Sequence, residues 1–341
     1  MTKKILIIQT AFIGDVILTI PLAHVLKKHI PDSEIDFLSI PKTKELLENN
    51  PNISNIIVYD KHNTGEISGL KDIYSILKKK NYDIIISPHR SFRSSFLTYF
   101  SGCKLTVGFN NASLSILYKK TVNYIKNIHE IQRNLKLLEP LGIIENNIIK
   151  PDFYISDEKI EKIDKTLSEN KIGKNDKFII AAPGSVWFTK RFPYKKFSEV
   201  FNLLKHQDLK VLLIGSEDDI DLCNNIISIS ENKNLINVSG KLTLLETVEL
   251  IKRSSLLLTN DSAPLHMANA VGTRVIALFG ATVPGFGFFP YGENDKIIEI
   301  NGLKCRPCRI HGGNKCPIRT FDCMNKISEQ VISNAITERL F

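Results

Sequence analysis

The sequence predicts an α/β protein made of two doubly wound domains, and three observations predict it. The chain has 341 residues, more than one ordinary hydrophobic core organises. Short all-apolar runs alternate with segments of helical period, which is the pattern of βαβ units and mostly parallel sheets. The alternation begins at Lys4 and starts afresh near Lys177.

The first half opens with the apolar strand pattern Lys4-Ile5-Leu6-Ile7-Ile8-Gln9. It turns through Gly14-Asp15 into the run Val16, Leu18, Ile20, Leu22, Val25 and Leu26, whose spacing predicts a helix. Further strands are predicted at Glu34 to Ile40, Ile53 to Tyr59, Asp83 to Ser87 and Leu105 to Gly108, with helices at Lys44 to Asn49 and Leu70 to Lys79. In the second half Phe178 to Ala182 reads as a buried strand, followed by Pro183-Gly184-Ser185 and a helix from Tyr194 to His206. A strand at Lys210 to Gly215 and helices at Asp218 to Ser230 and Thr243 to Lys252 come next. A strand at Ser255 to Thr259, a helix at Ala263 to Ala270 and a strand at Arg274 to Phe279 complete the pattern. The polar stretch Pro151 to Asp176 holds the join, which gives domains of 1–155 and 156–341.

Composition excludes several classes. Hydrophobic residues are 43% and charged residues 24%, ordinary globular values that leave no room for extended disorder. No apolar run is long enough for a membrane span, and Met1-Thr2-Lys3-Lys4 leads directly into a strand, so a cytoplasmic protein without a transmembrane segment is expected. The net charge of +9 points to an anionic partner, although Lys78-Lys79-Lys80 and Lys171 to Lys177 read as solvated faces. With no helix-turn-helix pattern, no aromatic stacking platform and no basic run beyond three residues, nucleic acid is not expected as a partner.

In open parallel sheets ligands sit beyond the C-terminal ends of the strands, so two such domains facing each other make a cleft fed by the loops that follow strands. Four of those loops carry distinctive residues. In Gln9 to Asp15, Asp15 is either a helix cap or a carboxylate presented as a general base; lacking a second and third glycine, the loop is no dinucleotide fingerprint. In Pro183 to Pro193, a glycine turn, hydroxyls, Lys190 and Arg191 suit a diphosphate, against the alternative of a polar loop with incidental basic residues. In Thr259 to Ala270, Ser262 is placed to cap a helix with Pro264 in its first turn, and the helix start offers N–H groups to an anion. His266 there is either an anion contact or a buried structural histidine. The fourth is Cys305-x2-Cys308-x7-Cys316-x6-Cys323, which reads as a structural zinc site or a reduced packed loop. Cys103 and Cys223 are isolated and read as core residues.

Taken in order, these motifs resemble glycosyltransferase family 9, the heptosyltransferases, over nearly the whole chain. The resemblance rests on Gly14-Asp15, Pro183-Gly184-Ser185 with Lys190-Arg191-Phe192-Pro193, Asn260-Asp261-Ser262-Ala263-Pro264-Leu265-His266-Met267-Ala268, Leu278 to Pro284 and the cysteine-rich tail. That tail, with Gly285 to Pro290 before it, looks closest to the lipopolysaccharide heptosyltransferase II branch. The resemblance implies a GT-B architecture of two Rossmann-like domains about a central cleft, with acceptor held mainly by the first and nucleotide sugar by the second. It implies ADP-L-glycero-D-manno-heptose as donor, an acidic lipopolysaccharide-core acceptor at the inner membrane surface, inversion at the anomeric carbon and no cofactor required for catalysis.

By position, the resemblance makes Asp15 the base, Ser185 and Lys190 diphosphate contacts, and Asp261 a contact to the donor sugar. Glu217 matches a ribose contact and Leu242 an adenine contact, while Ser262, Ala263, Leu265 and His266 meet the pyrophosphate. Some members carry paired threonines where Ser185-Val186 stands here, which leaves one hydroxyl contact missing or supplied by Thr189. On the acceptor side, His89, Arg90 and Arg93 either hold acidic groups of the acceptor or form a solvated helix start. The competing expectations are a family 9 enzyme with another nucleotide sugar or surface-glycan acceptor, a sugar-nucleotide epimerase of the same architecture, and a non-catalytic nucleotide- or zinc-binding module.

Overall fold

The computed structural model describes residues 2–60 and 66–340. Their contacts divide the chain after Tyr154 into two units, each built on a six-stranded sheet.

In the first unit the strands are β1 (Lys4–Ile8), β2 (Glu34–Ser39), β3 (Asn55–Val58), β4 (Ile84–Ser87), β5 (Leu105–Phe109) and β6 (Lys120–Val122). The helices are α1 (Ile13–Ile17), α2 (Ile20–His29), α3 (Glu66–Lys80), α4 (Phe92–Phe100) and α5 (Glu130–Leu135). In the second unit α6 (Asp157–Glu169) precedes β7 (Phe178–Ala182), α7 (Tyr194–Leu203), β8 (Lys210–Leu213), α8 (Ile220–Ser228) and β9 (Leu235–Asn237). Then come α9 (Leu244–Arg253), β10 (Leu256–Asn260), α10 (Ala263–Val271), β11 (Val275–Phe279), β12 (Lys296–Glu299), α11 (Asp322–Asn325) and α12 (Glu329–Leu340).

The strand order is β3-β2-β1-β4-β5-β6 in one sheet and, in the same sense, β9-β8-β7-β10-β11-β12 in the other. Both are therefore wound outward in two directions from a central pair, β1 with β4 and β7 with β10, and the pairings are parallel. Fully buried strands of this kind need apolar residues on both faces, and β1, β7, β10 and β11 supply them: Ile5 to Ile8 and Val275 to Phe279 have no solvent exposure. The reversal of winding leaves a crevice at the C-terminal ends of the central pair, where the loops after β1, β4, β7 and β10 emerge.

Several expectations need correcting. The single helix expected from Val16 to Leu26 is two helices, α1 and α2, because Pro21 lies in the first turn of α2 and has no N–H to continue a helix through it. The segment Lys44 to Asn49 is a 3-10 helix over Pro41–Leu47. The stretch from Pro151 to Asp176, in which the division after Tyr154 falls, also contains α6, which packs against α9 and buries Ile163 and Leu167. No helix among the described residues is long and apolar enough to cross a membrane. Lys78 and Lys79 are solvated as expected, whereas Lys80 is drawn to the buried Asp36 at 3.1 Å. Cys103 and Cys223 are buried core thiols.

Candidate active site

Two strand-end clusters carry the residues singled out above, one in each unit. In the first unit, Asp15 stands at the third position of α1, whose N-cap is Phe12 and carries no side-chain cap bond. Asp15 is thus not the cap residue; it is half-buried in the first turn. Its carbonyl accepts from the Thr19 hydroxyl at 2.7 Å. That hydroxyl also receives the amides of Gln9 (3.2 Å) and Asn134 (3.4 Å), so α1 is tied from beneath to β1 and α5.

Across the central pair, the loop after β4 places His89 within 2.9 Å of both Thr10 Oγ1 and Ser94 Oγ, with Ser91 Oγ at 3.4 Å. Three hydroxyls around Nδ1 fix the ring. Ser91 caps α4, accepting from the Ser94 N–H, so the helix start foreseen for this loop is present. Arg90 lays its guanidinium over the Tyr124 ring at 4.3 Å, and Arg133 lies over the same ring at the same distance. Arg133, ion-paired with Glu130, is held below the usual arginine range by burial, and the charge of Arg90 adds to this against the pull of Tyr124. Arg93 is half-buried in the first turn of α4. The structure therefore brings Asp15, His89 and Arg90 to the ends of adjacent strands in one sheet.

In the second unit, Asn260 ends β10 and clamps the loop after β7. Its amide donates to the Pro183 carbonyl at 2.8 Å and its carbonyl accepts from the Phe192 N–H at 3.0 Å, fastening both ends of the Pro183 to Phe192 segment. Arg191 folds back to the Ser185 carbonyl at 2.7 Å. Within that loop Lys190 reaches Asp261, Nζ to Oδ2 at 2.7 Å, and the Thr282 hydroxyl donates to the same oxygen at 2.7 Å. Lys190 and Asp261 keep only 15% and 6% of their side-chain exposure, so the pair lies in a partly dehydrated place where electrostatics are strong.

Helix α10 begins beside this pair. Ser262 occupies the N-cap but does not cap: its hydroxyl turns to the Asn260 carbonyl and to Thr259. The Leu265 N–H is already given to the Ser262 carbonyl at 3.1 Å, which removes it from the groups expected to meet a pyrophosphate. The half-buried Ala263 remains at the helix start, and Pro264 has no N–H. His266 is buried with no hydrogen-bond partner for Nδ1. Burial pushes its pKa down to about 4, with the Lys190 charge adding to the effect and Asp261 opposing it. The ring is neutral at neutral pH.

Thr189 also departs from expectation. Its hydroxyl accepts from the Gly313 N–H at 2.8 Å and its N–H donates to the Gly313 carbonyl at 2.9 Å, so it fastens the loop to the cysteine-rich tail. Glu217 is exposed at the end of β8, and Leu242 half-buried after β9, on loops joined where the Gly240 N–H meets the Gly215 carbonyl at 3.0 Å.

Two residues escaped the sequence reading. Asp219 lies against both Gly184 and Gly215, where a Cβ on Gly184 would stand 2.3 Å from its carboxylate, and it is held by the Ser216 N–H and hydroxyl. Arg306, almost fully buried, donates to the carbonyls of Gly280, Thr282 and Ile300 and pairs with Glu299. Neither residue type announces such a role; only the glycines beside Asp219 were a visible signal.

The four tail cysteines are free thiols. Cys308 donates to the Cys305 carbonyl, Cys316 accepts from the Phe321 N–H, and burial raises the Cys323 thiol to about 11. Among the described residues no group of three or more His, Cys, Asp or Glu side chains is placed to hold a metal ion. The segment is tied to the loop after β11, with the Cys308 N–H on the Ala281 carbonyl at 2.9 Å.

Residues 72–315 match the family description Glycosyltransferase family 9 (heptosyltransferase). The chain belongs to this family. Among relatives, lipopolysaccharide heptosyltransferase 3 of Escherichia coli K12 is 30% identical over 297 residues, covering 82% of this chain and 83% of its own. Among solved structures, a family 9 glycosyltransferase of Veillonella parvula superposes with a TM-score of 0.88 at 26% identity, covering 99% and 97% of the two chains. The structure described as E. coli ADP-heptose lps heptosyltransferase II superposes at 0.80 with 22% identity, covering 99% and 98%. This family 9 protein is thus a glycosyltransferase, and its two parallel six-stranded sheets are those of the GT-B class.

Proposed function

We propose that this family 9 transferase moves L-glycero-D-manno-heptose from ADP-heptose to the inner core of lipopolysaccharide, on a heptosyl-Kdo2-lipid A type acceptor, with inversion at the anomeric carbon. Its relatives' names supply the sugar and the glycan: they are lipopolysaccharide heptosyltransferases, and one neighbour is described with ADP-heptose. The observation that carries the reading is the Lys190–Asp261 pair set before the start of α10, on the loop that Asn260 clamps.

The chemistry asks for this arrangement. As the bond from the anomeric carbon to the diphosphate breaks, the sugar gains oxocarbenium character and ADP gains negative charge. Lys190 and the Ala263 N–H at the start of α10 are fixed donors for that charge, which preorganised groups stabilise better than water does. Asp261, released from Lys190 by the incoming diphosphate and steadied by Thr282, then takes sugar hydroxyls. Asp15, in the acceptor-holding unit, accepts the proton of the attacking acceptor hydroxyl as the new glycosidic bond forms from the opposite face. His89, Arg90 and Arg93 bind acidic groups of the acceptor. Ser185, Glu217 and Leu242 complete the nucleotide contacts. We place the protein in the cytoplasm, peripheral at the inner membrane.

Calorimetric titration with ADP, UDP, GDP and ADP-heptose tests the donor: selective binding of ADP and its heptose supports it, and preference for UDP or GDP replaces it while keeping the transferase class. Asp15→Ala is expected to bind ADP-heptose normally and to transfer nothing. Retained transfer in that variant removes Asp15 as the base.

A further inference from the structure

Helix α4 presents to solvent what a helix of a soluble domain normally hides. Phe92, Phe96, Tyr99 and Phe100 recur at helical spacing and are all exposed, Phe92 by 55% and Tyr99 by 50%. Their rings form one continuous ladder. Phe92 stacks on Phe96 at 6.1 Å, Phe96 meets Phe100 at 4.3 Å, and Tyr99 sits edge-on to Phe100 at 5.1 Å. The turn Ser115–Leu117 packs beside α4, tied by the Ser95 hydroxyl to Ser113 and Tyr118, and it adds Leu114 and Ile116, the latter 88% exposed. Contiguous apolar surface of this size on a soluble protein marks an interaction site.

Along the segment that carries the ladder the charge is of one sign. From residue 84 to residue 129 the sequence has no aspartate or glutamate and six arginines and lysines. Lys104, four residues after Phe100, and Lys119 and Lys120, three and four after Ile116, are exposed, and Lys78 of α3 reaches the turn after α4, beside Gly102. Aromatic rings flanked by lysines, with no carboxylate among them, match the boundary of an anionic bilayer, where rings enter the headgroup layer and cations meet phosphates.

The position argues against a soluble saccharide as the occupant. As the crossover between the parallel strands β4 and β5, α4 runs back along the sheet. Only its first turn lies near His89 and Arg90; Tyr99 and Phe100 are about 10 Å further on, at the other end.

We propose that the α4 ladder with its lysine rim docks the protein on an anionic phospholipid surface. This deepens the peripheral placement proposed above and rests on it for its setting, but it stands on the patch itself. Docking through α4 leaves one end of the ladder at the strand ends where an acceptor glycan would be held. A lipid-anchored acceptor then reaches the site without leaving its membrane.

The test is flotation of the full chain with vesicles of phosphatidylcholine alone and of phosphatidylcholine with phosphatidylglycerol. Binding is expected to the mixed vesicles only and to weaken with salt. The variant F96S/Y99S/F100S is expected to lose about a hundredfold in affinity, as removal of three exposed rings from the bilayer contact predicts. The variant K119A/K120A is expected to lose about twentyfold. Failure of the native chain to bind mixed vesicles, native-like binding by either variant, or equal binding to uncharged vesicles overturns the proposal. If the aromatic variant unfolds at a lower temperature than the native chain, the lysine variant, altered only at solvated side chains, decides. Calorimetry with ADP is expected to be unchanged in both variants, so loss of vesicle binding with ADP binding intact separates this surface from the transferase site.

Discussion

At the scale of single residues, the second unit's site is a set of competitions. Lys190 is paired with Asp261; in the proposed function a diphosphate takes that carboxylate's place, and charge-assisted bonds of this kind are among the stronger polar interactions a protein makes. Lys190→Ala is therefore expected to weaken ADP binding by about ten- to a hundredfold in calorimetry, the equivalent of roughly 1.5–3 kcal/mol. Unchanged affinity would show that the phosphates bind elsewhere. His266 gives a separate, pH-dependent handle. Its folded-state pKa of about 4 lies below the ordinary histidine value, so between those two pKa values the unfolded chain binds the extra proton. Its contribution to stability is complete above pH about 6.5 and is lost as the pH falls toward 4. By pH 5 the native protein is expected to lose about 2 kcal/mol more than His266→Asn, measured by urea unfolding across pH. Parallel pH profiles would show that the ring is charged or solvated in the folded state.

At the scale of elements, the tail after β12 has a mechanical task. Arg306 ties it to the Gly280 to Thr282 turn, and Thr282 in turn steadies Asp261. Removing a buried guanidinium leaves Glu299 and three carbonyls without their partner, so Arg306→Ala is expected to cost about 3 kcal/mol in urea unfolding and to weaken ADP-heptose binding through Asp261. A variant of native stability would mean that the tail is held by packing alone. The elements read correctly from sequence share one property. β1, β7, β10 and β11 are long apolar runs buried on both faces, and α9 opens with Thr243 and Glu246 in a reciprocal cap. The strands not foreseen, β6, β9 and β12, have three or four residues at the sheet edges, too short for a period to show. Helix α6 was hidden by its charge, since only Ile160, Ile163 and Leu167 interrupt a run of acidic, basic and small polar residues. Helix α4 was unclear for the opposite reason: its exposed rings obscure the usual division into polar and apolar faces. The site followed the same rule. Asp261 and His89 stand within two residues of a strand end and Lys190 on the loop after β7, positions the strand pattern made visible, whereas the hydrogen bonds of Thr189, Leu265 and Ser262 to the protein's own carbonyls and N–H groups left no mark in the sequence.

For the whole molecule, the two units have one strand order and place their candidate residues at the same point in it. The proposed division of labour predicts a spatially restricted response to nucleotide. Hydrogen exchange with and without ADP is expected to slow at the Pro183 to Phe192 loop and at the start of α10, while the amides of β1 to β6 exchange unchanged. Slowing confined to the first unit would reverse the assignment of nucleotide and acceptor.

The same winding governs how these sites come into being. In each unit the central pair joins the first strand to the fourth: Ile5 pairs with Ile84, and Ile179 with Leu256. Neither crevice has two walls until nearly eighty further residues of chain have been made. During synthesis, as domains fold from the N-terminus onward, the nascent chain carries the loop of Asp15 long before His89 arrives, and Lys190 long before Asp261. A ribosome halted between those strands holds a protein with its apolar ladders begun and no site at all. Each candidate site is completed abruptly along translation, when a fourth strand slides in beside a first.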